Sequence, residues 1–260
     1  MQLKNKFKSQ KPFAVINARM NSSRLKGKVL KKINGKTILE YLIEQIIKSK
    51  IKNNFIVNTS NLKSNKKLVN FCKKKKFNYF IGPELDLLKR TRMCVENKQN
   101  IYYFVNIFSD GPLIDPKIIN KLIKEFTNND FDFLSNDIVT SYPPGNELQI
   151  VKKKAIIKAD NLCSDKNIRQ HSTLFLKENP DKFKLKSVTA EKKYSRPDIN
   201  LELDTKEDLQ VLKKIIKNLK KFNLIEIIKF MDLNPDIKKI NSNIRRRWKK
   251  FRKWKKITYL

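Results

Sequence analysis

The stretch Phe13-Ala-Val-Ile-Asn-Ala-Arg-Met-Asn-Ser-Ser-Arg-Leu-Lys-Gly-Lys28 begins as a short apolar run and passes directly into a polar, cationic loop. An apolar run this short, bounded by polar residues, reads as a buried strand. Outward from it the pattern alternates. Residues 37–48 carry apolar side chains at helical spacing, with Thr37 placed to cap the N-terminus. A second strand is expected over 54–60, a helix over 65–75, a third strand over 77–81 and a helix over 84–97. Residues 101–108, dense in aromatic and β-branched side chains, are the strongest strand signal. A helix over 116–126 follows, with proline at its first position. Strands alternating with helices at this spacing predict an α/β fold with a mostly parallel sheet. Beyond Asp130 the texture changes. A strand over 131–135, an irregular Pro143-Pro-Gly145 segment and a run over 148–151 predict a small inserted hairpin or lid. Helices return over 167–178, 206–218 and 224–240, the last broken at Pro235.

The chain has 260 residues, 40% of them hydrophobic and 10% aromatic, which is enough for a real core. No apolar run approaches the ~20 residues of a membrane span. The run over 13–16 is too brief for a signal peptide, and three cysteines without a CxxC spacing (Cys72, Cys94, Cys163) read as reduced thiols. The expectation is a cytoplasmic protein. Lys and Arg number 59 against 25 acids, a formal charge of +34. The cations are spread along the whole chain and travel with Asn and Ile, the pattern of A/T-rich codon usage, so no specific nucleic-acid partner is expected. The tail differs. In residues 245–256, nine of twelve side chains are cationic, and Ile244, Trp248, Phe251 and Trp254 recur at helical spacing. Such a helix suits an anionic membrane surface, here the inner face, or a polyanion; equally, its stripe could pack on the domain. The division is therefore a domain over 1–241 and a basic aromatic tail over 242–260.

Three groups of residues could do chemistry. Arg19, Arg24 and Lys28 share one loop with Ser22 and Ser23, and cations interleaved with hydroxyls suit a polyphosphate. Neither the Walker nor the GxGxxG pattern is present. Asp110 follows the strongest strand, and Asp204 ends the Asn200-Leu-Glu-Leu run. Two strand-end carboxylates facing a polyphosphate suit Mg²⁺, although Asp204 could equally be a helix N-cap. The five glycines (Gly27, Gly35, Gly82, Gly111, Gly145) all fall in loops, and that grouping predicts loops lining one site.

The segment 18–30 resembles the signature of cytidylyltransferases that activate acidic sugars, above all the SpsF-type spore-coat polysaccharide proteins. Further matches follow in order: Gly82-Pro-Glu-Leu-Asp-Leu-Leu-Lys-Arg90, Ser109-Asp-Gly-Pro-Leu-Ile-Asp-Pro116, Tyr142-Pro-Pro-Gly145, Arg169-Gln-His-Ser-Thr173 with Glu178-Asn-Pro180, and Leu203-Asp-Thr-Lys-Glu-Asp-Leu209. The resemblance covers roughly residues 13–241. It implies a three-layer, Rossmann-like nucleotide-diphospho-sugar transferase fold. It implies Arg19, Arg24 and Lys28 on the phosphates of CTP with Ser22 and Ser23 nearby, and Mg²⁺ on Asp110 and Asp204. Arg24, Lys28 and Asp110 would carry catalysis. Thr59 and Ser60 are similar to base and ribose contacts, Gly82 starts another nucleotide-side loop, and Gln149, Arg169 and His171 fall where the sugar acid is expected. A homodimer is implied, with a contact around 142–151. The pattern also departs from the family. Lys26 stands where a proline is usual, Gly111 where a cysteine is commoner, Asn106 where an arginine is frequent and Gln149 where a glutamate is expected.

The reaction implied is CMP transfer from CTP to an acidic sugar, with pyrophosphate release. Two other classes stay open on the residues alone. One is a glycosyltransferase that consumes a ready-made nucleotide sugar; the other is a non-catalytic polyanion-binding protein on the same fold.

Overall fold

A computed structural model describes residues 7–244 of the chain. The basic segment 245–260 lies outside the described residues. The strands are β1 (Ala14–Asn17), β2 (Lys32–Ile33), β3 (Lys36–Thr37), β4 (Phe55–Ser60), β5 (Tyr79–Gly82), β6 (Tyr103–Phe108), β7 (Phe133–Ser135), β8 (Gln149–Lys152) and β9 (Leu185–Ser187). β2 and β3 form a small separate hairpin; the other seven make one sheet in the order β5-β4-β1-β6-β8-β7-β9. All of them run in one direction except β8, which is antiparallel to both its neighbours. The strand order turns back on itself at β1, between β4 and β6, and a crevice beyond the carboxyl ends of those strands is where such sheets bind ligands.

Both faces of the sheet are covered, so its central strands read as continuous apolar runs rather than alternating ones. Ala14, Ile16, Val57, Val105 and Ile107 point into one layer. Val15, Ile56, Phe104 and Val151 point into the other. The helices are α1 (Ile38–Ile47), α2 (Lys66–Lys75), α3 (Leu87–Glu96), α4 (Pro116–Asn128), α5 (Lys153–Leu162), α6 (Lys166–Arg169), α7 (Leu174–Glu178), α8 (Lys206–Asn218), α9 (Leu224–Leu233) and α10 (Pro235–Lys239). The first layer takes apolar residues of α1, α2, α4, α8 and α9, and the second those of α3, α5 and α7. This is the three-layer arrangement expected from the sequence. No helix of the described residues is long and apolar enough to cross a membrane.

Local chemistry explains where elements begin. Thr37 caps α1 and forms a reciprocal capping box with Glu40. The helix expected from residue 84 starts only at Leu87, because Asp86 accepts from the Lys89 N–H and caps it there. The single helix expected over 167–178 is two short ones. Ser172 and Thr173, between α6 and α7, turn their hydroxyls toward the sheet instead of continuing a helix. Of the expected hairpin or lid, the structure has the hairpin: β7 and β8 pair antiparallel within the main sheet. Tyr142, Pro143 and Pro144 between them are buried, Tyr142 stacking on Tyr194. That segment is used up in packing within its own chain.

Asp115 joins the two ends of the first layer. It is 1% exposed, accepts from the Lys117 N–H at 2.7 Å as the cap of α4, and accepts from the Leu224 N–H of α9 at 2.8 Å. One carboxylate thus serves two helix N-termini that are far apart in sequence. Asp115→Ala removes both bonds and leaves buried donors unpaired, which costs about 2–3 kcal/mol. Thermal unfolding should show a midpoint lowered by several degrees with the secondary structure intact.

Candidate active site

Beyond the carboxyl ends of β1 and β6 lies a cavity of about 580 Å³. Residues 18–28 form its cationic wall. The loop is tied to itself and to the sheet: the Met20 carbonyl accepts from the Ser22 and Gly27 N–H groups, and the Met20 N–H donates to Asn65 Oδ1 at 2.7 Å. Buried Leu25 and Val29 anchor the loop in the core, so Arg19, Ser22, Ser23, Arg24 and Lys28 all line the cavity.

Facing them are the acids. Lys28 is 8% exposed, and its ammonium donates to the Leu203 carbonyl at 2.6 Å, to Asp204 Oδ1 at 2.8 Å and to Asp110 Oδ2 at 3.4 Å. Arg24 pairs with the other oxygen of Asp204. Burial pulls the Lys28 ammonium down, but Asp110, Asp204 and Glu202 outweigh it and hold its pKa above the ordinary value. Asp204 is not the helix cap; Thr205 caps α8, in a capping box with Asp208.

A third acid, Glu202, joins the pair, and sequence reading missed it. Asp110, Glu202 and Asp204 each offer a carboxylate oxygen within 4.8 Å of the others. The signal was visible in Leu201-Glu-Leu-Asp204. Leu201 and Leu203 are buried in the core, so in an extended chain Glu202 and Asp204 share the opposite face. Burial, then the charges of Asp110, Asp204 and Glu147, push the Glu202 carboxyl well above its usual range. Three hard oxygen donors at this spacing fit a divalent cation such as Mg²⁺.

Two glycines let these segments approach. A Cβ on Gly111 would lie 2.3 Å from the Gly145 carbonyl oxygen. Gly145 has φ 97°, and a Cβ there would lie 2.8 Å from the Glu202 nitrogen. The exit of β6, the Pro144-Gly145 segment and residues 201–204 are therefore stacked backbone on backbone. The Leu201 N–H donates to the Pro144 carbonyl at 2.8 Å and the Leu203 N–H to the Asp110 carbonyl at 2.7 Å. Gly35, in the β2–β3 turn, does not line the cavity.

Across the cavity floor runs a chain of side-chain amides. Asn58 Nδ2 donates to Asn17 Oδ1 (2.8 Å), Asn17 Nδ2 to Asn106 Oδ1 (2.7 Å), Asn106 Nδ2 to Gln149 Oε1 (2.8 Å) and Gln149 Nε2 to Asp137 Oδ2 (2.7 Å). Asp137 closes the chain as the ion-pair partner of Lys177, whose ammonium lies 2.7 Å from both its oxygens. The two departures at Asn106 and Gln149 are thus one feature, since each residue is the other's partner. Neutral amides replace two charges together.

Gln149 and His171 line the cavity, as the sequence led us to expect, but Arg169 does not. Its guanidinium is held by Asp86 and Asp160 and by the carbonyls of Asp160 and Cys163, so it braces α3, α5 and α6. Thr59, Ser60 and Gly82 also lie off the cavity lining. Thr59 is fully buried, and the Ser60 hydroxyl donates to Glu84. The lining instead includes Glu84, Arg90, Asp137, Glu147 and Lys177, none of them expected as site residues from the sequence.

A family profile described as cytidylyltransferase matches residues 13–233. The Methanocaldococcus jannaschii protein MJ1063 is 33% identical over 242 residues, 91% of this chain and 97% of that one. The spore coat polysaccharide biosynthesis protein SpsF of Bacillus subtilis is 25% identical, over 85% of this chain and 94% of its own. A solved cytidylyltransferase from Leptospira borgpetersenii superposes with a TM-score of 0.83 at 29% identity, covering 91% of this chain and all of that one.

His171 is the only histidine, so its imidazole can be followed alone by NMR. Burial, then Lys177 and Arg19, hold its pKa below the ordinary 6.5. The folded protein should titrate this ring below 6.5, and Lys177→Met, which removes a nearby cation, should move the midpoint up. Since the unfolded chain binds this proton at the higher pH, His171 makes the fold less stable as pH falls through 6.5.

Proposed function

The chain belongs to the cytidylyltransferase family, and from that premise we propose that it transfers CMP from CTP to a hydroxyl of an acidic sugar, releasing pyrophosphate. The observation that carries this reading is the meeting of Arg24 and Lys28 with Asp110, Glu202 and Asp204 in one cavity. The cluster sets three carboxyl groups against two cations, with Glu202 held toward its protonated form by burial and by the other acids. A triphosphate arriving with a divalent ion supplies both what the acids lack and what the cations seek. Asp110, Glu202 and Asp204 would hold Mg²⁺, which when bound neutralises charge on phosphate oxygens.

The reaction is attack by a sugar oxygen on the α-phosphorus while the bond to the β-phosphate oxygen breaks; the sugar proton passes to solvent or a nearby base, and pyrophosphate leaves. Little covalent work falls to the protein, so positioning and charge neutralisation carry the rate. Lys28 and Arg24 stabilise the departing pyrophosphate. Arg19, with a 59% exposed side chain at the rim, meets the incoming phosphates. Gln149, His171 and Lys177 face the acceptor half. An acidic acceptor is supported by the ordered motifs shared with enzymes that activate such sugars, and SpsF's role in a coat polysaccharide supports a surface polymer as the destination. The buried, free thiols of Cys72, Cys94 and Cys163 fit a cytoplasmic, CTP-containing setting.

A unit charge pair at ~4 Å contributes about 4 kcal/mol at an effective dielectric of ~20. Asp110→Ala should therefore lower Mg²⁺-dependent pyrophosphate release from CTP and a sugar acid by about a thousandfold, with an unchanged circular dichroism spectrum. Near-normal turnover by that variant would refute the assignment. Consumption of a ready-made nucleotide sugar without pyrophosphate would favour a glycosyltransferase.

A further inference from the structure

The chain leaves the described fold from a fixed point, and the residues beyond it carry more positive charge than the acids beside that point compensate. Asn241 is 3% exposed, and its Nδ2 donates to the Asn200 carbonyl at 3.2 Å and to Asp208 Oδ1 at 2.9 Å. The other oxygen of Asp208 accepts from the Asp204 N–H at 2.9 Å and from the Thr205 N–H at 2.8 Å. One carboxylate thus ties the exit of the chain to the segment that carries Glu202 and Asp204 on the cavity wall. From that anchor the sequence runs into nine cations within residues 245–256, and no acid follows Asp236.

The acids around the exit are already engaged. Asp198 pairs with Arg196 and Lys238, Asp232 with Arg196, and Asp236 with Lys239. The helix α8, whose first turn holds Asn241 through Asp208, adds exposed Lys213, Lys214 and Lys217 of the same sign. The counter-charge for the segment therefore has to come from outside the fold. Its apolar side chains meet the same shortage. At 100° per residue, Ile244, Trp248, Phe251 and Trp254 fall within about 120° of a helical turn, one continuous stripe. Among the described residues from 206 to 244, the one large apolar side chain left exposed is Leu233, too little to cover two indoles and a phenyl ring.

A nucleic acid or a soluble polyanion would use the cations but offers no apolar phase to such a stripe. The boundary between headgroups and acyl chains of an anionic bilayer uses both, and indole rings suit that boundary because one part is apolar and one is polar. We propose that residues 245–260 dock the protein on an anionic lipid bilayer, with the cations on headgroup phosphates and Trp248, Phe251 and Trp254 at the acyl boundary. Because the exit is tied to Asp208, the lipid surface then lies beside the segment that carries Glu202 and Asp204. The docking is independent of which nucleotide or acceptor the cavity takes.

Trp248 and Trp254 are the only tryptophans of the chain, so the intrinsic fluorescence of the full-length protein reads this segment alone. The probes are vesicles of phosphatidylcholine and vesicles of phosphatidylcholine mixed equally with phosphatidylglycerol. In buffer the emission should be that of indole in water. The anionic vesicles should shift it to the blue, and phosphatidylcholine should leave it unchanged. Sedimentation should show binding to the anionic vesicles at least about a hundredfold tighter than to phosphatidylcholine, weakening as salt is raised. Each cation near such a surface is worth about fivefold, so Arg245→Gln, Arg246→Gln and Arg247→Gln together should weaken binding by about a hundredfold. Trp248→Ser with Trp254→Ser, at unchanged charge, should weaken it by at least about tenfold. An emission already blue in buffer and unmoved by either vesicle means that the stripe packs on its own domain, and overturns the proposal. So does equal binding to the two kinds of vesicle, and so does tight binding to heparin or an oligonucleotide with none to the anionic vesicles.

Discussion

The site depends on one buried ammonium. Lys28 reaches from the first loop to the Leu203 carbonyl, Asp204 and Asp110, and so joins three stretches of chain that share no strand pairing at that point. Remove its charge and two aspartates, with Glu202 between them, face each other across a few ångströms in a partly dehydrated cavity. Repulsion of that kind is not tolerated without a cation. The protein holds the acids together with its own side chain. Under the proposed reaction, a divalent ion held by Asp110, Glu202 and Asp204 would take over that role and leave the Lys28 ammonium free for phosphate oxygens.

Backbone contact does for geometry what Lys28 does for charge. Gly111 and Gly145 let the exit of β6 touch the Pro144-Gly145 turn, and that turn touches residues 201–204. Nothing bulkier fits between them. The acids therefore inherit their spacing from main chain packed on a buried tyrosine pair, Tyr142 and Tyr194, rather than from mobile loops. Next to this rigid charged half lies a second polar system of a different kind. The amide chain from Asn58 to Gln149 points every N–H in one direction, and its dipoles add toward Asp137. It fixes the Asp137 carboxylate without a formal charge in the sheet.

Much of this was legible in the sequence. The central strands announced themselves because burial on both faces demands unbroken apolar runs, and the loop cations with Asp110 and Asp204 announced themselves by position at strand ends. What stayed hidden had physical reasons. β9 is three residues long, and α5 buries only Ala155, Ile156 and Ala159 beneath a row of lysines, so neither carries a strong periodic signal. The sequence left open whether residues 131–151 form a hairpin or a lid, because Pro143-Pro-Gly145 reads as exposed turn chemistry. Packing, which one-dimensional patterns do not contain, turned the segment inward. Glu202 could have been found from the alternation with Leu201 and Leu203.

The two arginines show what sequence alone leaves undecided. Arg169 stood in a motif and was read as a ligand for the sugar acid; Arg90 stood at the end of another motif and drew no role. In the fold Arg90 lines the cavity and Arg169 does not. Arg169 has four of its five N–H groups engaged by Asp86, Asp160 and two carbonyls, and a group so occupied has little left for a substrate. Arg90 has one hydrogen bond, a buried unpaired Nε and a glycine opposite that makes room for it. Both side chains are mostly shielded from water, so burial does not separate them. The balance between donors and acceptors does, and that balance is set by residues brought together from β5, α3, α5 and α6, elements that only the folded chain makes neighbours.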